Sequence, residues 1–357
     1  NDGVLPIDKT KVNTIGVIGP NADSRAALIG NYHGTSSEYI TVLEGIREEA
    51  GDDVRILYSQ GCDLYKDKVE NLAWDQDRIS EAVITAENSD VVILCVGLNE
   101  TLEGEEGDTG NSDASGDKVD LHLPKVQEEL IEKVTAVGKP TIVVLMAGSA
   151  IDLNYAQDNC NGILLAWYPG ARGGRAIADL LFGKESPSGK LPITFYKDLE
   201  GMPEFTDYSM KNRTYRYMEK EALYPFGYGL TYSDTCVTEA EVVGEVSAES
   251  DIVLKATVKN NGTVDTDEVV QVYIKDLDSP LAVRNYSLCG FKRVSLKAGE
   301  EKSVEFTISN KAMNIVDEDG NRYIAGKHFR LFAGVSQPDT RSAELTGHKP
   351  AEVEIAL

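Results

Sequence analysis

One acidic segment holds the densest set of chemically active side chains in the sequence. Residues 98–123 read LNETLEGEEGDTGNSDASGDKVDLHL, in which a single lysine, Lys118, accompanies eight acidic residues. Crowded carboxylates raise one another's pKa values, so a carboxyl group here can stay protonated near neutral pH and act as a general acid. The alternative interpretation is a solvated acidic loop without a chemical role. The acidic residues are Glu100, Glu103, Glu105, Glu106, Asp108, Asp113, Asp117 and Asp120.

Part of the same segment, DTGNSDASGD, offers oxygen ligands that would suit a calcium ion. It lacks the Asp-x-Asp-x-Asp-Gly register and the closing bidentate glutamate of the known calcium loop. We therefore predict no metal site and keep a structural cation as the alternative. Its ligands would be Asp108, Asn111, Asp113, Ser115 and Asp117.

The other common catalytic motifs are missing from the sequence. The segment GPNADS lacks the glycine spacing of a dinucleotide site, and neither a Walker A sequence nor a GxSxG elbow occurs. The histidines do not form a pair at metal-ligand spacing. They are His33, His122, His328 and His348.

The first part of the chain alternates short apolar runs with helix-length segments. Nearly continuous runs rich in Val and Ile are typical of strands that are covered on both faces. Strands that alternate with helices predict a parallel, doubly wound sheet, whose ligands bind beyond the carboxyl ends of the strands. The acidic segment follows the third run and therefore lies at that edge. The predicted strands are 14–20, 54–61, 91–98, 141–148 and 162–170, and the predicted helices are 41–50, 71–88, 124–137, 150–159 and 174–181.

After Gly229 the pattern changes from helical periodicity to strict alternation of apolar and polar residues. Short strands separated by polar turns over about 110 residues predict an antiparallel β-sandwich of the immunoglobulin or fibronectin type III kind. Four apolar faces illustrate the alternation: 252–258, 270–274, 304–308 and 329–335.

Length and charge exclude several classes of function. A chain of 357 residues is long enough for about two domains. Its net charge of −24 would repel phosphate backbones and anionic lipid, so we expect neither nucleic-acid binding nor membrane binding. The cysteines are scattered without close pairs, which favours a reducing compartment such as the cytoplasm.

Several stretches together resemble family 3 glycoside hydrolases. They include VIGPNAD (17–23), GLNETLEGEEGD (97–108), AWYPGARGGRAIADLLFGKESPSGKLPITF (166–195) and LYPFGYGLTY (223–232). The segments DEVVQVYIKD and LCGFKRVSLKAGE, at 267–276 and 288–300, are similar to that family's fibronectin type III-like domain. The resemblance implies a six-stranded, mostly parallel α/β sandwich over residues 1–225, a linker over 226–235 and the β-sandwich domain over 236–357.

The resemblance also implies a partner. Members of the family are exo-acting retaining β-glycosidases in which an N-terminal TIM-like barrel supplies the nucleophilic aspartate. That barrel is absent from this sequence, so the chain looks like the C-terminal half of such an enzyme. We expect it to act with an N-terminal barrel, in the same protein or as a separate chain, on an oligosaccharide or aryl glycoside.

The family's second domain carries the general acid/base glutamate in the long loop after the third strand. Glu103 matches that position best, and Glu105 and Glu106 remain alternatives. Tyr32 and His33 in the segment GNYHG are candidates for substrate binding, the first through ring stacking and the second through a hydrogen bond.

The long acidic loop looks more like that of bacterial β-xylosidases than that of β-glucosidases, so xylosides are the first choice of substrate. The implied mechanism is double displacement, which needs no metal or organic cofactor. The competing hypothesis is a non-catalytic carbohydrate-binding or structural module. Such a module should expose an aromatic platform for the sugar. The sequence contains only two tryptophans for that purpose, Trp74 and Trp167.

Overall fold

A computed structural model describes residues 1–66, 74, 76–104 and 118–357. By compactness the chain divides into two units, Asn1–Glu185 and Ser186–Leu357. Within the described residues, no helix has both the length and the apolar character that a membrane crossing requires.

The first unit is built on one parallel sheet. Its strands are β1 (Thr14–Ile18), β2 (Arg55–Ser59), β3 (Val91–Gly97), β4 (Thr141–Met146) and β5 (Gly162–Leu165). They pair in the order β2-β1-β3-β4-β5. β3 and β4 are buried at every position, which explains why their sequences are apolar without alternation. The order reverses at β1, which leaves a crevice beyond the carboxyl ends of β1 and β3.

Helices follow the strands of this sheet. They are α1 (Ala26–Ile29), α2 (Val42–Ala50), α3 (Asp77–Glu87), α4 (Lys125–Thr135), α5 (Asn154–Asn159) and α6 (Gly173–Leu181). α2 begins at a capping box in which the Thr41 hydroxyl accepts from the Glu44 backbone and the Glu44 carboxylate accepts from the Thr41 backbone. α2 packs closely on α6, because a Cβ atom at Gly174 would lie 1.9 Å from the Thr41 carbonyl oxygen.

The predicted α/β fold is confirmed, with one difference in strand number. The five predicted apolar runs form the five strands of the sheet. The resemblance implied a sixth strand, but in the described part of the chain the next strand pairs elsewhere. This strand, β6 (Phe195–Tyr196), forms a separate two-stranded antiparallel sheet with β7 (Ala222–Tyr224).

The second unit contains that small sheet, the short helix α7 (Thr214–Tyr217) and a β-sandwich. The remaining strands are β8 (Thr235–Val243), β9 (Ile252–Asn260), β10 (Thr266–Asp276), β11 (Ser287–Leu296), β12 (Glu301–Ile308), β13 (Asn314–Val316), β14 (Arg322–Ile324), β15 (His328–Gly334) and β16 (Ala351–Ala356). A 3₁₀ helix covers Asn310–Met313, and α8 covers Thr340–Thr346.

The sandwich consists of two antiparallel sheets, β11-β10-β15-β16 and β12-β9-β8. The predicted alternation is confirmed, because all four predicted apolar faces are buried. Phe306 and Leu331, for example, are both in the core between the sheets. The chain divides after Glu185 into two compact units, and this division does not test the predicted domain limits. The domain limits 1–225, 226–235 and 236–357 therefore stay a prediction.

Candidate active site

The end of β3 is where the acidic segment begins, and a glycine and a glutamine shape it. Gly97 has φ +144°, and a Cβ atom there would lie 2.0 Å from the Met146 carbonyl oxygen. Only glycine allows the chain to leave the sheet so close to β4. The fully buried Gln127 of α4 accepts from the Gly97 amide at 2.8 Å and donates to the Gly97 carbonyl at 2.8 Å. This amide pair takes over the hydrogen bonds that the sheet no longer supplies.

A compact turn then presents Glu103 at the edge of the sheet. The Asn99 side chain accepts from the Thr101 backbone at 2.9 Å, and the Asn99 carbonyl accepts from the Glu103 amide at 3.0 Å. Leu102 anchors the turn because its side chain is only 7% exposed. Asparagine favours such turns because its side chain replaces a backbone acceptor. The turn formed by the local sequence NETLE (99–103) therefore holds Glu103 at the edge of the sheet.

The two oxygens of the Glu103 carboxyl group have different environments. Oε2 accepts a hydrogen bond from the Gly148 amide at 2.7 Å and a second from the Tyr168 hydroxyl at 2.7 Å. Oε1 is buried and has no hydrogen-bond partner in the described residues. With two donors occupying Oε2, a proton on this carboxyl group belongs on Oε1. Oε1 is thus available to exchange a proton with a ligand.

Tyr168 follows β5 and can only donate to Glu103. Burial, and next the charge of Glu103, raise the pKa of the Tyr168 hydroxyl well above its usual value. The hydroxyl therefore keeps its proton over the whole range in which enzymes work. Since a charged acceptor strengthens a hydrogen bond, this contact holds the carboxylate more firmly than a neutral pair would.

Lys118 lies at the other end of the acidic segment and adds a positive charge. Its ammonium group donates to the Ala150 carbonyl at 2.7 Å. Burial lowers the pKa of Lys118, and the charges of Glu103 and Asp120 partly oppose that effect. Lys118 thus stands near Glu103 as a partly buried cation.

Buried polar atoms without partners collect on the loops that follow β1, β3 and β4. Buried oxygens need a partner, and each one left alone costs about 1–3 kcal/mol. Asn21 is fully buried, its amide nitrogen donates to the Leu98 carbonyl, and its Oδ1 is unpaired. Within the described chain, the unpaired oxygens here are Asn21 Oδ1, Glu100 Oε2, Glu103 Oε1 and Ser149 Oγ. This edge of the sheet is therefore prepared for a ligand, for water or for another protein segment.

The structure places Tyr32 and His33 on the loop after α1. Tyr32 has 78% of its surface exposed and φ +54°, and His33 is exposed with its Nδ1 bonded to the Gly34 carbonyl at 3.0 Å. In the described residues, no hydrogen bond joins either side chain to Glu103. Their loop begins beside the site, because a Cβ atom at Gly30 would lie 2.6 Å from the Tyr168 ring. Their substrate-binding role stays a prediction.

Two alternatives from the sequence lie outside the described residues. Glu105 and Glu106 fall in the stretch 105–117, and so do the calcium ligands from Asp108 to Asp117. Across the described residues, no three His, Cys, Asp or Glu side chains are grouped so that they could hold a metal ion.

Sequence reasoning missed Tyr168, Gly148 and Gln127. Tyr168 lies inside the motif AWYPGARGG, but nothing in the local pattern of that motif marks this residue for the site. Gly148 follows the β4 run and contributes only its backbone amide to the site, so its residue type carries no signal. A usable signal was Gln127, an amide on the otherwise apolar face of α4.

Comparisons with known proteins agree with this architecture. The model of the glycosyl hydrolase family 3 C-terminal domain matches residues 1–232, and that of the fibronectin type III-like domain matches residues 268–337. A β-glucosidase structure from Erythrobacter marinus superimposes with a TM-score of 0.83 at 30% sequence identity, covering 100% of this chain and 48% of that one.

Two curated relatives carry names from the same group of enzymes. A "Beta-xylosidase" from Formosa agariphila is 34% identical over 97% of this chain and 48% of its own length. A "Periplasmic beta-glucosidase" from Salmonella typhimurium is 31% identical over 93% of this chain and 46% of its own length. The chain spans about half the length of these relatives. It belongs to glycoside hydrolase family 3, of which it carries the C-terminal domain and a fibronectin type III-like domain.

Proposed function

We propose that this chain is the C-terminal part of an exo-acting retaining β-glycosidase and that Glu103 is its general acid/base. The observation that carries the proposal is the asymmetry of the Glu103 carboxyl group. Oε2 is held by the Gly148 amide and the Tyr168 hydroxyl, while the buried Oε1 is unpaired in the described residues. A proton donor needs this combination of a fixed position and a free oxygen.

Glu103 would act in both steps of a double displacement. In the first step the glycosidic C–O bond breaks, and the Oε1 proton passes to the leaving oxygen. The nucleophilic carboxylate, on a partner N-terminal barrel, then bonds to the anomeric carbon. In the second step the Glu103 carboxylate takes a proton from water, whose oxygen displaces the nucleophile. Such a mechanism requires the two carboxyl groups to be about 5–5.5 Å apart.

The substrate class follows from the relatives. The two relatives described above are named as a β-xylosidase and a β-glucosidase. A terminal β-linked xylose is our first choice, and a terminal β-linked glucose is the second. The nucleophile and most contacts to the terminal sugar would belong to the barrel, so the barrel would mostly decide between the two sugars.

The test compares two classes of leaving group in the complete enzyme. Glu103→Gln preserves the shape of the side chain but removes the proton. Aryl β-xylosides with poor leaving groups should react about 10²–10⁴-fold more slowly in the first step. Dinitrophenyl substrates need no proton, so their first step should survive. The second step would lack its base, and the covalent intermediate should accumulate as a burst of dinitrophenol.

Matched variants decide which glutamate is the acid/base. Glu105→Gln and Glu106→Gln are measured in the same way, and Glu87→Gln on the surface of α3 serves as the control. If the dependence on the leaving group followed Glu105 or Glu106, the assignment to Glu103 would be wrong and the glycosidase proposal would stand. If none of the three changed that dependence, the chain would not supply the acid/base. A non-catalytic module would then be favoured.

A further inference from the structure

The backbone around Tyr168 has a conformation that side chains normally avoid. The preceding residue, Trp167, has φ +53°, in the left-handed region that bulky residues rarely adopt. Trp167 lies two residues after the end of β5 and immediately before Tyr168, whose hydroxyl group donates to Glu103. Strained residues persist where the surroundings determine the conformation, and they concentrate at functional sites.

Two glycines make room for the tyrosine ring. A Cβ atom at Gly30 would lie 2.6 Å from the ring, and one at Gly148 would lie 3.1 Å from the ring and 3.2 Å from Glu103 Oε2. All three distances are shorter than ordinary contacts, so a larger residue at either position would push the ring or the carboxyl group. Three separate loops thus meet at the side chain of Tyr168, those that hold Gly30, Gly148 and Tyr168 itself.

We propose that Tyr168 is a positioning residue that holds the Oε2 atom of Glu103 and so directs the catalytic proton to Oε1. This inference rests on the proposed role of Glu103. The Tyr168 hydroxyl donates to Oε2 at 2.7 Å, and donation stabilises the carboxylate relative to the acid. The residue therefore helps to decide which oxygen is protonated.

Other charges also act on this carboxyl group, and the test must separate them. Glu100 lies near Tyr168 on the same turn as Glu103, and Lys118 faces Glu103 from the far end of the acidic segment. Asp120 acts on Lys118. None of these groups is removed when the hydroxyl of Tyr168 is deleted, so a change in that variant reports the hydrogen bond.

The experiment is a pH profile of kcat/KM in the complete enzyme with a poor leaving group. The basic limb reports loss of the protonated acid. Tyr168→Phe removes one donor to the carboxylate, so the acid should stay protonated to higher pH. We expect the basic limb to move upward by about one pH unit, with the acidic limb unchanged. Tyr155→Phe, which loses a surface hydroxyl contact with Thr135, is the control.

A second variant gives a shift of opposite sign. Tyr168→3-fluorotyrosine makes the hydroxyl a stronger donor, so the basic limb should move downward. Damage to the fold would not produce opposite shifts in the two variants. An unchanged basic limb in both would overturn the proposal.

A double variant distinguishes failure of this inference from failure of the proposed function. Glu103→Gln by itself tests the acid/base role, as described above. Combined with Glu103→Gln, Tyr168→Phe should cause no further shift of the profile. If Tyr168→Phe still moved the basic limb in that background, Tyr168 would act on another acid and the inference would be wrong.

Discussion

The Glu103 carboxyl group at the carboxyl edge of the parallel sheet and the Glu268 carboxyl group of the β-sandwich unit have opposite surroundings. In the sandwich unit, Glu268 is 1% exposed and fully paired: Lys190 lies 2.8 Å from Oε1, and the Thr235 hydroxyl donates to Oε2 at 2.5 Å. At the sheet edge, Glu103 and Asn21 keep buried oxygens without partners in the described chain. The same residue type therefore stabilises one region and leaves the other ready for a ligand.

The largest effect is expected from breaking the paired carboxylate of the sandwich unit. Lys190→Met would leave the Glu268 charge buried and unpaired, which should lower the free energy of unfolding by about 3–5 kcal/mol. Lys190 also donates to the Gly229 carbonyl at 2.6 Å, so the turn at 227–229 loosens as well. Chemical denaturation of the two proteins measures the difference.

The control for that comparison is Lys255→Met. Lys255 lies 3.7 Å from Glu241 in a pair whose side chains are 47% and 68% exposed. Exposed pairs contribute about 0–1 kcal/mol. Equal losses in the two variants would show that the buried pair contributes no more than a surface pair.

An intermediate effect is expected from alanine at Gly30. Comparison with alanine at Gly51 separates backbone strain from crowding of the Tyr168 ring. Gly30 and Gly51 each follow a helix with nearly the same backbone, φ 60° and ψ −149° against φ 63° and ψ −153°. Alanine at either position costs about 1–3 kcal/mol, because this region is almost restricted to glycine. Only Gly30→Ala places a methyl group against the Tyr168 ring, since Gly51 has nothing within 4 Å.

Both alanine variants should therefore lose stability by denaturation, and Gly30→Ala should lose more because its methyl group also crowds the Tyr168 ring. Only Gly30→Ala should slow substrates with poor leaving groups. The measurement is kcat/KM for such substrates, corrected for the fraction of each variant that is folded. If Gly51→Ala slowed those substrates equally, the ring of Tyr168 would not matter to the chemistry.

The smallest effect is expected from Lys118. Its charge lies near Glu103, so we expect Lys118→Met to keep the acid protonated to higher pH. We expect the basic limb of kcat/KM to rise by about half a pH unit, less than for Tyr168→Phe. Lys125→Met, at an exposed position of α4, should leave the limb in place. A downward shift for Lys118→Met would contradict the sign of this interaction.

Much of the fold was predictable because its signals are local. The apolar runs at β1, β3 and β4 follow from burial on two faces, and the alternation along β9, β12 and β15 follows from burial on one. The pairing of β6 with β7 was not predictable in this way. A two-residue strand has too short a pattern, and its partner is decided by contacts distant in sequence.

In the candidate site, too, local sequence signals were predictable and contacts between distant residues were not. The sequence by itself determined that a carboxylate-rich segment follows the third strand and that Glu103 lies near its start, because composition and chain order are local properties. Only the tertiary structure decided which oxygen of Glu103 is held and which is free. That asymmetry depends on Gly148 after β4 and Tyr168 after β5, which come from separate loops 45 and 65 residues away. Parallel strands bring such loops to one edge, and no pattern within a single segment records which of their groups meet.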